Sequence, residues 1–322
     1  MSQSTIGIHG ISYALPAARR TLSELEILGK LQSEPELLEE FGFAEVCVAE
    51  EETPYSLALQ GARSLLEEQR VQPETIDTLI YCGTPSAAFS PAGSVTGAVA
   101  DIATTRRFRY PSTRLQYDLG ISGASTFALD QLACTSLFAA VRIARTLIQA
   151  DEARRVLCVS AEFFPERAGR ETIYNCTADA ACAVLVDAGV DRNRIVASAQ
   201  TTKGYYWDGD AMRNEVVASY FPTAAHVIAE TLCRARWKPN DVTLVIPHNV
   251  SVRSWEILLG LTGIARARLW CRNVARIGHT LAGDNFINLR DAIDDGSVQP
   301  GDRLLLFAYG YGAHWTALAL EA

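Results

Sequence analysis

"PETIDTLIYC", residues 73–82, and "PNDVTLVIPH", residues 239–248, run in step without a gap. Ile76 falls opposite Val242, Leu79 opposite Val245, Ile80 opposite Ile246 and Cys82 opposite His248. The offset, 239 − 73 = 166, is about half of the 322-residue chain, as expected of a duplicated α/β unit. A second pair, "LIQADEARRVLCVS" and "AIDDGSVQPGDRLLLFA", passes from helix to strand in the same way. Between and around these pairs, "TIGIHGI" and "RRVLCVSAE" read as strands, and "SLALQGARSLLEEQR", "SYFPTAAHVIAETLCRARW" and "GDNFINLRDAIDDG" as helices. Alternation of this kind predicts an α/β protein. No low-complexity linker separates the halves, so they are expected to share one core. Functional pockets are then expected at strand C-terminal ends.

Composition narrows the partners. With 48% hydrophobic and 20% charged residues the chain can bury a large core. A net charge of −8 and the absence of a long Lys/Arg run argue against nucleic acid. The start "MSQSTIGIHGISYALP" has no basic segment leading into a long apolar run, and no apolar stretch of about 18 residues stands out, so a cytoplasmic protein without a membrane span is expected. The eight cysteines form no CxxC pair and accompany no histidine cluster, so neither a metal site nor a disulfide framework is indicated.

Four places carry chemistry. In "LDQLACTSLFAAVRIARTLI", residues 129–148, an apolar stripe at Leu137, Val141, Ala144 and Ile148 predicts a helix, with Cys134 near its N-terminus. Unpaired N–H groups and the macrodipole favour a thiolate there, although a free cysteine also packs well as a small apolar residue. "VIPHNVSVR" puts His248 at a strand exit with Arg253 five residues on; such a histidine serves structure as readily as proton transfer. "RIGHTLAGDNFINL" puts His279 after a glycine and Asp284 at a helix start, where an aspartate can equally be a cap. "LLLFAYGYGAHW" ends a strand in a glycine-bearing turn whose N–H groups can face an oxyanion or simply make the turn.

Together these segments resemble the ketoacyl-acyl carrier protein synthase III branch of the thiolase superfamily, over nearly the whole chain. "ACTS" stands where that family has its nucleophilic cysteine, "PHNVSVR" resembles its histidine loop, "GHTLAG" occupies the place of G-N-T-S-A-A, and "YGYGAHW" resembles its closing F-G-G-G-x-T-W. "GFAEVCVAEEET" parallels an early family segment, and "TPSAAFSPAG" parallels a loop whose phenylalanine crosses a dimer interface. The resemblance implies a duplicated α/β/α/β/α fold, with a cysteine half at 1–188 and a histidine and aspartate half at 189–322. It also implies a homodimer and acyl transfer through a Cys134 thioester. The amides of Cys134 and Tyr311 would hold the oxyanion, and His248 would carry the proton. Phe89, Arg253 and Asn214 would bind substrate, Arg253 through phosphate. No bound cofactor or metal is implied; acyl-coenzyme A or the phosphopantetheine of an acyl carrier protein is the substrate.

The departures sharpen the expectation. His279 replaces an asparagine that helps condensing enzymes stabilise an enolate, although Cys-His-His relatives do decarboxylate. Asp284 is what a smaller group of plain acyltransferases would need, with the aspartate orienting the histidine that deprotonates an alcohol or amine acceptor. The expected pairing is Asp284 with His248. The tryptophan that clasps adenine in the family is missing from "LQSEPELLEEFGF", which favours a carrier protein over coenzyme A as donor. The reading is therefore an acyltransferase acting on a small-molecule acceptor, with decarboxylative condensation as the alternative. A cysteine hydrolase lacks a supporting cysteine segment, and a non-catalytic partner of a synthase would require a Cys134 that resists acylation.

Overall fold

The computed structural model describes residues 5–83, 109–165, 167–209 and 211–322; the expectation for Phe89 lies outside them. The first half runs β1 (Ile6–Ala14), β2 (Arg19–Thr21), α1 (Leu22–Ile27), α2 (Pro35–Glu40), β3 (Glu45–Cys47), α3 (Pro54–Glu68), β4 (Thr78–Cys82), α4 (Pro111–Asp118), β5 (Ser125–Leu129), α5 (Ser136–Gln149), β6 (Arg155–Glu162), β7 (Glu171–Thr172), β8 (Asn175–Cys176) and β9 (Ala180–Ala188). The second runs β10 (Arg194–Thr202), α6 (Arg213–Ala235), β11 (Leu244–Pro247), α7 (Val252–Thr262), α8 (Arg272–Arg276), α9 (Asp284–Asp294), β12 (Arg303–Gly310) and β13 (His314–Glu321).

One sheet joins the halves in the order β11-β12-β13-β10-β1-β9-β6-β4-β5, with β1 and β10 meeting where Gly7 faces Arg194. The duplication is visible element by element. β10 begins and ends 188 residues after β1 (194 − 6 and 202 − 14). A 3-10 turn at Ala133–Thr135, then α5, then β6, is repeated 148 residues later by the turn Leu281–Gly283, α9 and β12 (281 − 133, 284 − 136 and 303 − 155). The fifth strand is where the copies differ. β5 pairs in parallel with β4, whereas β11, on the side away from β12, has a single parallel bridge among the described residues, from Val245 to Leu269.

Strand alternation builds the layers. On β6, Val156 and Cys158 join one core with α5 and α9, while Leu157, Val159 and Ala161 join a second core with α3 and α4. On β12, Leu304, Leu306 and Ala308 share the first core, while Leu305 and Phe307 face a third with α6 and α7. Strands covered on both faces read as continuous apolar runs, which is why "RRVLCVSAE" and "DRLLLFAYG" stood out. The result is the five-layer α/β/α/β/α arrangement, with α5 and α9 in the middle. Leu137, Val141, Ala144 and Ile148 are all buried on α5, and Phe138 meets Phe286 of α9 at 5.2 Å between ring centroids.

α6 differs from expectation in length. It starts at Arg213, six residues before the sequence pattern suggests, and runs through Pro222 for 23 residues. An interior proline costs about 3 kcal/mol or more, but Val216, Ala224, Val227, Ile228 and Leu232 are buried and the helix packs on β10 and β13. By length and composition α6 passes for a membrane span; its packing makes it the outer helix of the third core.

Because Phe286 is fully buried where the two central helices touch, Phe286→Ala is expected to cost about 3–5 kcal/mol, read as a lowered denaturation midpoint in urea.

Candidate active site

The turn Ala133–Thr135 places Cys134 at the entrance to α5, and the chain reaches it through left-handed backbone at Gln131 (φ 65°) and Ala133 (φ 45°). Non-glycine residues in that region store strain that the surroundings must hold, a pattern concentrated at functional turns. The equivalent residue in the second half, Leu281, has φ 58°. The two copies of one turn thus carry Cys134 in one case and lead into Asp284 in the other.

Between them stands His279. Its Nε2 lies 3.3 Å from the Cys134 Sγ, and its Nδ1 lies 2.5 Å from an Asp284 carboxylate oxygen. The histidine loop is tied to the first half of the chain: the His279 N–H donates to the Cys176 carbonyl, and the Ala178 N–H donates to the His279 carbonyl, both at 2.8 Å. Asp284 also accepts from the Asn249 N–H (2.6 Å), the Thr280 N–H (2.6 Å) and the Thr280 hydroxyl (2.7 Å). A buried carboxylate requires such partners. Asp284 therefore does not cap α9; it faces back and holds a ring.

That ring is His279, and here the expected pairing of Asp284 with His248 is corrected. Asp284 follows His279 on the same tight loop and reaches it directly. His248 closes β11 with its ring edge-on to Trp255 and Phe307, 6.1 Å between centroids from His279. The two imidazoles sit in opposed electrostatic settings. Burial alone would lower the His279 pKa, but the charges and hydrogen bonds of Asp284 and Cys134 outweigh it and hold the ring well above the usual histidine value. Burial, with His279 adding to it, pushes His248 down to about 3 against the weaker pull of Asp284. A neutral His248 can donate one N–H, and its Nδ1 has no partner among the described residues.

Asparagines brace the loop. Asn249 donates to the Gly278 carbonyl, Asn288 to the Pro247 carbonyl and the Asn249 side chain, and Asn285 to the Ile246 and Phe307 carbonyls. None of these was singled out from sequence, although "PHN" and "GDNFIN" contain them; a buried amide on a helix is visible only once the helix is known to be central.

The remaining expected residues are less convergent. Gly310 abuts the cysteine turn: a Cβ there would lie 2.5 Å from the Leu132 carbonyl oxygen, so the β12 end packs directly against the residues on either side of Cys134. Tyr311 follows it, 40% exposed, with its ring against Gly209. Tyr220 and Tyr309, 5.4 Å apart between centroids, also lie in the electrostatic range of Cys134. Arg253 and Asn214 stand exposed on the first turns of α7 and α6.

Models of the family 3-oxoacyl-[acyl-carrier-protein (ACP)] synthase III match residues 130–204 and, as its C-terminal part, 232–322, together just over half of the chain. The chain is a synthase III-like member of the thiolase superfamily. Among its relatives, the beta-ketoacyl-[acyl-carrier-protein] synthase III of Aquifex aeolicus (strain VF5) is 29% identical over 292 residues, 87% of this chain and 88% of that protein. The crystal structure of the 3-oxoacyl-[acyl-carrier-protein] synthase III from Aquifex aeolicus VF5 superposes with a TM-score of 0.82 at 26% identity, covering 98% of this chain and 100% of that one. A solved protein named ChlB3 and described as an acyltransferase shares the fold at a TM-score of 0.82 and 19% identity, over 99% of this chain and 98% of that one. Membership of the synthase III family makes this an enzyme of the transferase class.

Gly310→Ala must push the Leu132 carbonyl away from the β12 end. Its expected effect is slower alkylation of Cys134, followed by peptide mapping because Cys233 and Cys271 are also accessible, with an unchanged circular dichroism spectrum. Unaltered Cys134 kinetics would show that the turn absorbs the extra carbon.

Proposed function

We propose that this synthase III-like enzyme is an acyltransferase that takes an acyl group from an acyl carrier protein or coenzyme A thioester onto Cys134. It then passes the group to an alcohol or amine of a small metabolite. The observation that carries this reading is the continuous chain of contacts Cys134–His279–Asp284. A raised His279 pKa favours a Cys134 thiolate beside an imidazolium. The thiolate attacks the donor carbonyl, the new C–S bond forms, and the donor thiolate departs with the proton from His279. In the second half the acceptor O–H or N–H gives its proton to the neutral His279 as its oxygen or nitrogen bonds to the carbonyl carbon, and Cys134 leaves as thiolate. The ion pair is restored and the protons balance.

The amides of Cys134 and Tyr311 receive the oxyanion in both steps, with the close approach of Gly310 to the cysteine turn in support. His248, neutral, adds a hydrogen-bond donor. Residues 1–188 supply the nucleophile and 189–322 the base. Arg253, exposed and without an ion-pair partner among the described residues, suits a phosphopantetheine phosphate. Phe89 and Asn214 complete the substrate set. The functional unit is a cytoplasmic homodimer formed through β5, an edge strand among the described residues, whose Phe127 and Leu129 are partly covered within them. Decarboxylative condensation with a malonyl carrier protein is the second reading, favoured by a second imidazole, His248, 6.1 Å between ring centroids from the His279 that meets Cys134.

Acyl thioesters should modify Cys134 alone among the eight cysteines, and Cys134→Ala should abolish the adduct in an intact-protein mass spectrum. Asp284→Asn leaves His279 without its counter-charge, and transfer to the acceptor should fall by up to about four orders of magnitude, as in the serine triad. The product should be an ester or amide formed without carbon dioxide. A ketoacyl product and carbon dioxide released at an undiminished rate by Asp284→Asn would establish condensation instead.

A further inference from the structure

Glu162 is the last residue of β6, and nothing in the transfer chemistry uses it. Val156 and Cys158 face the central core, so with a period of two Ser160 and Glu162 continue the same row. Opposite Glu162 on β9 is Ala180, also of the central core, and two residues before it Ala178 holds the His279 carbonyl. Glu162 therefore ends its strand on the face where the histidine loop docks.

Its surroundings differ from those of Asp284. Asp284 is fixed by four hydrogen bonds. The Glu162 carboxyl has no hydrogen bond or salt bridge among the described residues; β6 packs against the turn Leu281–Gly283 that follows His279, and the titratable groups acting on Glu162 are His279, Asp130 on the approach to the cysteine turn, and Tyr81 and Cys82 of β4. Around His279 stand Asp284, Cys134, His248 and Glu162. Burial and the like charge of Asp130 raise the Glu162 pKa to about 7, with His279 pulling the other way.

We propose that Glu162 is a positioning residue of the thioester site, whose carboxylate stabilises the imidazolium of His279 and, through it, the Cys134 thiolate. The inference rests on the acyl-transfer reading of that pair, but only on its resting charge state. Asp284 aims the ring, and Glu162 is the carboxyl that changes charge near neutrality. Below its titration Glu162 is neutral and the thiolate loses part of its support; above it, two carboxylates hold the imidazolium.

The test is alkylation of Cys134 by iodoacetamide from pH 5.5 to 9 in the full chain, quantified by peptide mapping. The wild-type rate should inflect near pH 7. Glu162→Gln should lose that inflection and react about tenfold more slowly at pH 8, the effect of roughly one pKa unit, while Glu162→Asp keeps the inflection. A second readout follows from linkage. The folded-state pKa of Glu162 is raised above its unfolded value, so its contribution to stability is present below the unfolded pKa and lost as pH rises through about 7. Glu162→Gln should therefore gain melting temperature over wild type at pH 8 and not at pH 4. A Gln variant whose alkylation profile superimposes on wild type overturns the inference, as does one that melts lower at both pH values with the inflection intact. Alkylation needs neither donor nor acceptor, so a lost inflection supports the inference even where no acyl product is found, an absence that counts against the transfer reading alone.

Discussion

The buried carboxylate of Asp284 is the constraint to which the rest of the site answers. A charge with no solvent contact is tolerable only when its lone pairs are filled, and Asp284 collects its donors from Asn249, two residues beyond β11, from Thr280 and from His279. Satisfying one carboxylate thus determines where the histidine loop lies against the end of β11. The ring of His279 is held from one side by this charge and meets the sulfur of Cys134 on the other. Removing Asp284 would release both a proton affinity and a geometry.

Duplication explains how the two halves come to share one site. The cysteine turn and the turn before Asp284 are copies, each with a left-handed residue and each opening a central helix. Packing of α5 on α9 through Phe138 and Phe286 brings these copies face to face. The first copy places Cys134 at the helix entrance, and the second leads into Asp284, which holds His279 against the sulfur. The same backbone device therefore serves two chemical purposes, according to which position of the turn carries the functional side chain.

The two histidines divide labour through their neighbours rather than their own chemistry. His279 has a carboxylate and a thiol and is held protonated; His248 has aromatic edges and a cationic neighbour and is held neutral. Groups driven apart in this way commonly take distinct proton roles at an active site. The transfer reading gives the protonated ring the proton traffic and leaves the neutral one a hydrogen bond to donate.

By itself the sequence determined the α/β class and the duplication, and it singled out Cys134, His248, His279 and Asp284, because apolar periodicity and the order of short motifs are local properties of the chain. The repeat of residues 73–82 at 239–248 appears in the structure as β4 and β11, each preceded by a 3-10 turn. The strands β9, β10 and β13 and the first six residues of α6 were not legible in full: the strands owe their identity to partners far along the chain, and no side-chain cap marks the start of the helix. Nor could sequence decide which histidine Asp284 would hold. His248 and His279 are both at strand or loop ends, and the choice is made by the 2.5 Å contact of Asp284 with His279, which exists only after β11, α9 and the cysteine turn are packed together. Glu162 shows the same limit, since a glutamate at a strand end is ordinary until the fold sets that strand against the turn that follows His279.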